Sequence, residues 1–182
     1  MRPWLSNTVI NFMDQNVSKE HSMFEWGSGS STVYFAPKVG KIISIENHND
    51  WFKKVTQMLS DNKIKNVELV LVPPDSGKCN KVLDPSKYAS DSKLFKHRIF
   101  KTYAQVIDKY DMKFDWVVVD GRSRNSCLQH AMKKVKPGGY IMLDDSERNR
   151  YNPGKKLFGS DEWEIKPLPG KGSGTTHFWK KK

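Results

Sequence analysis

The sequence predicts an α/β protein built on a doubly wound, mostly parallel sheet. Three observations carry this reading. Five short apolar runs rich in β-branched residues alternate with segments of helical period over residues 5–145. A glycine-bearing loop, "FEWGSGSST", stands where the first run hands over to a helix. From Asp161 the chain changes character and reads as two strands around a Gly/Pro/Ser loop, a hairpin that closes one edge of the sheet.

The elements follow in chain order. Leu5, Val9, Ile10, Phe12 and Met13 fall at helical spacing, which predicts an N-terminal helix within residues 1–20. Residues 22–26 make the first strand. Ser30 or Ser31 can cap a helix that Pro37 stops near Ala36. "KIISIE" (41–46) is a β-branched strand. Residues 48–62 form a helix with Trp51, Phe52, Val55, Met58 and Leu59 on one face, and Asn49 or Asp50 can cap it. "NVELVLVPP" (66–74) is a strand ended by two prolines. Residues 73–93 show no period, and an unstructured loop of that length is a functional feature or a lid. "FDWVVVD" (114–120) is a strand buried on both faces. "NSCLQHAMKKVKPGG" is a helix with a Pro-Gly-Gly stop, and "GYIMLDD" (139–145) is the fifth strand.

Composition bounds the rest. A chain of 182 residues suggests one domain, spanning 1–182, able to bury a core without a staple. Its mean hydropathy of −0.69 reflects many lysines rather than low complexity. Cys79 and Cys127 fit no metal spacing and no disulfide framework, as expected of reduced thiols in a cytoplasmic protein. No run of 18 apolar residues predicts a membrane span, and the first residues lack a signal-peptide core. The net charge of +11 permits a nucleic-acid or other anionic partner. The lysines are spread along the whole chain, however, as on a solvated surface.

The glycine loop narrows the ligand. Gly27 and Gly29 match the first two positions of a dinucleotide fingerprint, but the third falls on Thr32. That speaks against a nicotinamide or flavin cofactor. Glu25, ahead of the glycines, would repel a pyrophosphate and suits a cofactor with a positive charge and an amino group. Glu46 ends the second strand about 20 residues on, where an acid accepts hydrogen bonds from ribose hydroxyls.

Together "FEWGSGSS", "IISIEN", "FDWVVVDGR" and "VKPGGYIMLDD" resemble the class I (Rossmann-like) S-adenosylmethionine-dependent methyltransferases, over residues 3–180. The resemblance implies a seven-stranded sheet in the order 3-2-1-4-5-7-6 with the last strand antiparallel. It also implies a cofactor, S-adenosylmethionine. Glu25 would order the loop and meet the methionine amino group. Gly27, Ser28, Gly29 and Ser30 would pass under the cofactor, Glu46 and Asn47 would hold the ribose, and Pro73 to Asp75 would lie near the adenine. Asp120 would lie near the transferred methyl. One departure stands out: Ser31 replaces the last glycine of the family's loop.

Methyl transfer asks the protein for positioning, and for a base when the nucleophile is a hydroxyl. Asp120, Arg122 and Asp145 are the expected catalytic residues. Catechol-type members hold magnesium at positions that match Asp120, Asp144 and Asp145. Here an Asp stands where Asn is usual, and the charge of Arg122 opposes an ion, so a divalent cation is possible but not favoured. The expected acceptor is a small molecule or sugar, methylated on oxygen. An RNA methyltransferase and a non-catalytic binding module are the alternatives.

Overall fold

The computed structural model describes residues 2–81, 83–90, 93–159 and 161–182. The chain runs α1 (Asn7–Asn16), β1 (Ser22–Trp26), α2 (Ser30–Phe35), β2 (Lys41–Glu46), α3 (Asn49–Asp61), β3 (Val67–Leu71), β4 (Asp75–Lys78), β5 (Arg98–Ile99) and α4 (Lys101–Gln105). It continues through β6 (Phe114–Val119), α5 (Arg124–Lys134), β7 (Val135–Leu143), α6 (Asn152–Lys155), β8 (Trp163–Pro169) and β9 (Thr175–Lys181). Seven strands form one sheet in the order β3-β2-β1-β6-β7-β9-β8. The β1, β2, β3, β6 and β7 pairs are parallel, while β9 runs antiparallel to both β7 and β8. Strand order reverses at β1, so β1 and β6 flank the crevice where such sheets bind ligands.

Side chains alternate between the two faces, and each face has its own core. Phe24, Trp26, Ile43, Ile45, Val117 and Val119 meet Tyr103 of α4 and Leu128 of α5. Met23, Ile42, Trp116, Val118 and Met142 meet Val9 and Met13 of α1 and Phe35 of α2. The same alternation places Glu25, Ser44 and Glu46 on the α1–α2 face, because they share parity with Met23 and Ile42. Asp120, one residue past β6, shares parity with Trp116 and Val118. Three acids therefore reach the carboxyl edge from one face.

Several local expectations are corrected. The Pro-Gly-Gly stretch does not stop α5. The helix ends at Lys134, and Pro137–Gly139 form a bulge in β7, where the register jumps from Phe114↔Val135 to Trp116↔Tyr140. Gly138 has φ +79°, which a side chain would resist. Residues 73–93 are not structureless. β4 pairs with β5, Ala89 bridges to Ile99, and the Asp84 carboxylate accepts from the Ser86 N–H at 2.9 Å. Val82, Asp91 and Ser92 of that loop lie outside the described residues. The cap position of α2 is Gly29, not Ser30 or Ser31, and His48 rather than Asn49 or Asp50 precedes α3. No helix among the described residues is long and apolar enough to cross a membrane.

Candidate functional site

The glycine loop is built on Glu25. Its carboxylate is buried, and Oε1 accepts from Ser44 Oγ at 2.6 Å across the β1–β2 pair. The same oxygen accepts from Thr32 Oγ1, while Oε2 accepts from Ser31 Oγ at 3.4 Å. Thr32 Oγ1 in turn accepts the Gly29 N–H at 2.9 Å. The two residues that break the glycine patterns, Ser31 and Thr32, thus tie the first turn of α2 to the end of β1. Burial raises the Glu25 pKa from 4.5 to about 7, against the pull of the Ser44, Thr32 and Ser31 hydroxyls. Glu25 lies beneath the loop.

Gly27 is required by its conformation and its surroundings. Its φ is +99°, and a Cβ there would stand 2.9 Å from both the Asp120 carbonyl carbon and the Gly121 nitrogen. The loop can therefore press against the start of the β6–α5 connection. Trp51 does not join the core face of α3. Its ring, 39% exposed, donates Nε1–H to the Ser28 carbonyl at 2.7 Å and braces the loop from outside.

A cleft of about 390 Å³ opens over this loop, lined by Ser28, Glu46, Asn47, Phe95, Asp120 and Arg122, among others. Glu46 Oε1 accepts the N–H groups of Asn47 and His48 at 2.7 and 2.8 Å. Burial raises its pKa, while those two donors and Arg122 pull it down. Asn47 Nδ2 is buried without a hydrogen-bond partner among the described residues. A smaller cavity of about 160 Å³ continues past Gly27, Ser28, Gly29 and Ser30 to Trp4 and Leu5. Asp75 does not line the cleft. Its carboxylate accepts from the Thr102 N–H at 3.0 Å and from Thr102 Oγ1 at 2.5 Å, at the start of α4.

At the ends of β6 and β7, carboxylate oxygens of Asp120, Asp144 and Asp145 lie within 4.8 Å of one another. Arg124, one of the charged groups the sequence puts just beyond β6, is buried beside them. Its Nη2 donates to Asp120 Oδ1 at 2.7 Å, and its Nη1 lies 3.8 Å from Asp145 Oδ2. It also donates to the carbonyls of Gly121, Asp120 and Asp144 at 3.1, 2.9 and 2.7 Å. The sequence offers one signal for this: Arg124 stands four residues after Asp120. Asp145 pairs with Arg148 at 2.8 Å and has φ +51°, a left-handed conformation rare outside glycine. Asp144 Oδ1 accepts from Thr176 Oγ1 at 2.6 Å. The donor set would suit a hard cation, but the Arg124 guanidinium already takes up one oxygen of Asp120 and lies 3.8 Å from Asp145.

Burial raises the Asp120 pKa from 3.8 to about 6, with Arg124 opposing and Asp144 and Asp145 adding to the rise. Asp120 is thus a carboxylate at neutral pH with raised basicity, at the junction of the two cavities. Arg122 lies over the Phe95 ring at 5.5 Å, and its Nε is buried without a hydrogen-bond partner among the described residues.

Comparison with protein-family models and with curated proteins finds no match. Solved structures do match. An rRNA methylase from Streptococcus thermophilus superposes with a TM-score of 0.66 at 12% identity, covering 94% of this chain and 92% of that one. A candidate methyltransferase from Streptococcus mutans, solved with S-adenosylhomocysteine, gives 0.67 at 11% identity over 94% of each chain. A precorrin-6y C5,15-methyltransferase from Geobacter metallireducens gives 0.65 at 11% identity over 96% of this chain and 87% of that one. With the strand order and the antiparallel β9, these likenesses identify the chain as having the class I methyltransferase fold.

Proposed function

We propose that the chain is an S-adenosylmethionine-dependent methyltransferase acting on a hydroxyl of a small molecule or sugar. The observation that carries the reading is the cleft over the Glu25-anchored loop, which brings Glu46, Asn47 and Asp120 to one edge of the sheet. The residues fit the cofactor. Glu46 offers a carboxylate to ribose hydroxyls, and the buried Asn47 amide is a donor in search of an acceptor. Phe95 and Trp51 give apolar walls suited to an adenine. When bound, the cofactor supplies a methyl carbon on a positively charged sulfur.

The protein's share is positioning and proton removal. The glycine loop sets the floor of the cleft, and Trp51, at its wall, fixes that floor through the Ser28 carbonyl. Asp120 takes the proton of the acceptor hydroxyl as its oxygen attacks. Arg124 keeps Asp120 oriented through Oδ1. Asp145, clamped by Arg148, stands within 4.8 Å of Asp120 and acts as an orienting group for it.

Titration calorimetry with S-adenosylmethionine and S-adenosylhomocysteine, beside Glu46→Ala, tests this. Micromolar binding that the variant loses supports the reading. No binding to folded protein would leave a non-catalytic module. RNA methylation is the second reading, favoured by the net charge of +11 and by the likeness to an rRNA methylase. Transfer of labelled methyl to RNA rather than to small hydroxyl compounds would decide for it.

A further inference from the structure

We infer that the acceptor carries an oxyanion group, a phosphate or carboxylate, held in an arginine pocket beside the methyl-donor cleft. The inference rests on the methyltransferase reading and adds the substrate class. Of the 31 Lys and Arg residues only six are arginine: Arg2, Arg98, Arg122, Arg124, Arg148 and Arg150. The last four line one cavity of about 60 Å³, together with Ser90 and Asn125. A chain that uses lysine for its surface has gathered four of its six arginines in one place.

Arginine is the residue suited to this task. Its planar fork matches phosphate and carboxylate with two parallel hydrogen bonds, whereas lysine offers a point charge. Charge neutralisation within the cluster is uneven. Arg124 is matched by Asp120 and Asp145, and Arg148 by Asp145 and Glu147. Arg122 makes no ion pair within 4.0 Å among the described residues, though its charge acts on Glu46 and Asp120, and its Nε is buried without a hydrogen-bond partner among the described residues. Burying that N–H without an acceptor is costly, and an oxyanion would supply one. Arg124 is fixed by three carbonyls, so the pocket wall is rigid before any ligand arrives. The cavity has room for about two water molecules, the size of a small anionic head rather than a ring.

Its position gives the specificity role. Arg122 and Gly121 line both this pocket and the cofactor cleft. An anionic head anchored there would present the rest of the acceptor toward Asp120. The Ser90, Ser123 and Asn125 side chains around it supply neutral polar groups.

The test is calorimetric titration of protein saturated with S-adenosylhomocysteine, using inorganic phosphate in one arm and acetate in the other. Saturable one-to-one binding is expected, and the tighter arm names the head group. Arg150→Lys is expected to weaken that binding by about tenfold or more, as a lost charged hydrogen bond does. Its affinity for S-adenosylhomocysteine should stay unchanged. In a turnover screen, hydroxyl compounds bearing the anionic group are methylated and their uncharged counterparts are not. Absence of saturable anion binding up to about 10 mM, in protein that binds S-adenosylhomocysteine, overturns the inference. So does displacement of S-adenosylhomocysteine by phosphate, or affinity for single-stranded RNA that rises with length and falls with salt. If S-adenosylhomocysteine fails to bind while phosphate binds and Arg150→Lys weakens it, the methyltransferase reading falls and the anion pocket stands.

Discussion

Replacing Glu25 by glutamine should remove most of the pH dependence of stability near neutrality. Glu25 is 1% exposed, and burial moves its pKa from 4.5 to about 7. A carboxyl whose folded pKa lies above its unfolded pKa takes up a proton on folding. Its stabilising contribution is complete below pH 4.5 and is lost as pH rises through 7. Integrating between about pH 5 and pH 8 gives a loss of about 2.5 kcal/mol from this one group. Asp120, shifted to about 6, acts in the same direction but is partly exposed, so its share is smaller. Urea unfolding at about pH 5, 6, 7 and 8 measures the effect. The wild type should lose stability toward pH 8. Glu25→Gln keeps the side chain's shape and cannot titrate, so its slope should be clearly shallower, with the remainder from Asp120, Glu46 and Asp144, and it should overtake the wild type at the alkaline end. Parallel curves for the two proteins would show that Glu25 ionises normally beneath the loop and would refute the argument.

Other outcomes are open to measurement. Asp120→Asn should cut turnover by about 10²–10³-fold and abolish an acidic limb near pH 6 in the rate profile, with cofactor affinity nearly unchanged. An unchanged limb would assign the base elsewhere. Gly27→Ala, strained at φ +99° and crowded by Asp120 and Gly121, should cost about 2 kcal/mol and lower the melting temperature by roughly 6 °C. A melt unchanged from wild type would mean the loop has room to move. Treatment with a chelator should leave both activity and melting temperature intact, because Arg124 already occupies Asp120, the acid nearest the cleft. Activity lost to the chelator and restored by magnesium would reverse that assignment.

The main sheet was legible because its strands carry strong local signals. "IISIE" and "FDWVVV" are β-branched runs, whereas the register that brings Glu25 and Glu46 to one face is set by pairing between strands. The end of α5 was misread for a physical reason. Pro-Gly-Gly is a helix stop by propensity, but β7 needed to leave and rejoin register with β6, and glycines at a bulge do that equally well. Thr32 was read only as a missing glycine, since nothing local announces that its hydroxyl bridges Gly29 to Glu25. Trp4, Leu5 and Phe95 reach the cavities from distant parts of the chain, and contacts between remote segments leave no periodic trace. Arg124 is legible as one of the charged groups beyond β6, but its pairing with Asp120 is not. Its i,i+4 relation to Asp120 spans a strand end and a helix start, where helical spacing is not normally applied.

The guanidinium seated among Asp120, Asp144 and Asp145 bears on which compounds such an enzyme can modify. It cannot be leached, exchanged or starved, so output would not follow the supply of divalent ions. It also has no open coordination position to lend to an alkoxide, and so cannot make a reluctant alcohol acidic as a Lewis acid does. On the proposed function, reactivity would then come from the compound itself, with Asp120 collecting the proton. Hydroxyls acidified by their neighbours, in phenols or in sugars, would be the natural targets, and an isolated alcohol the poorest.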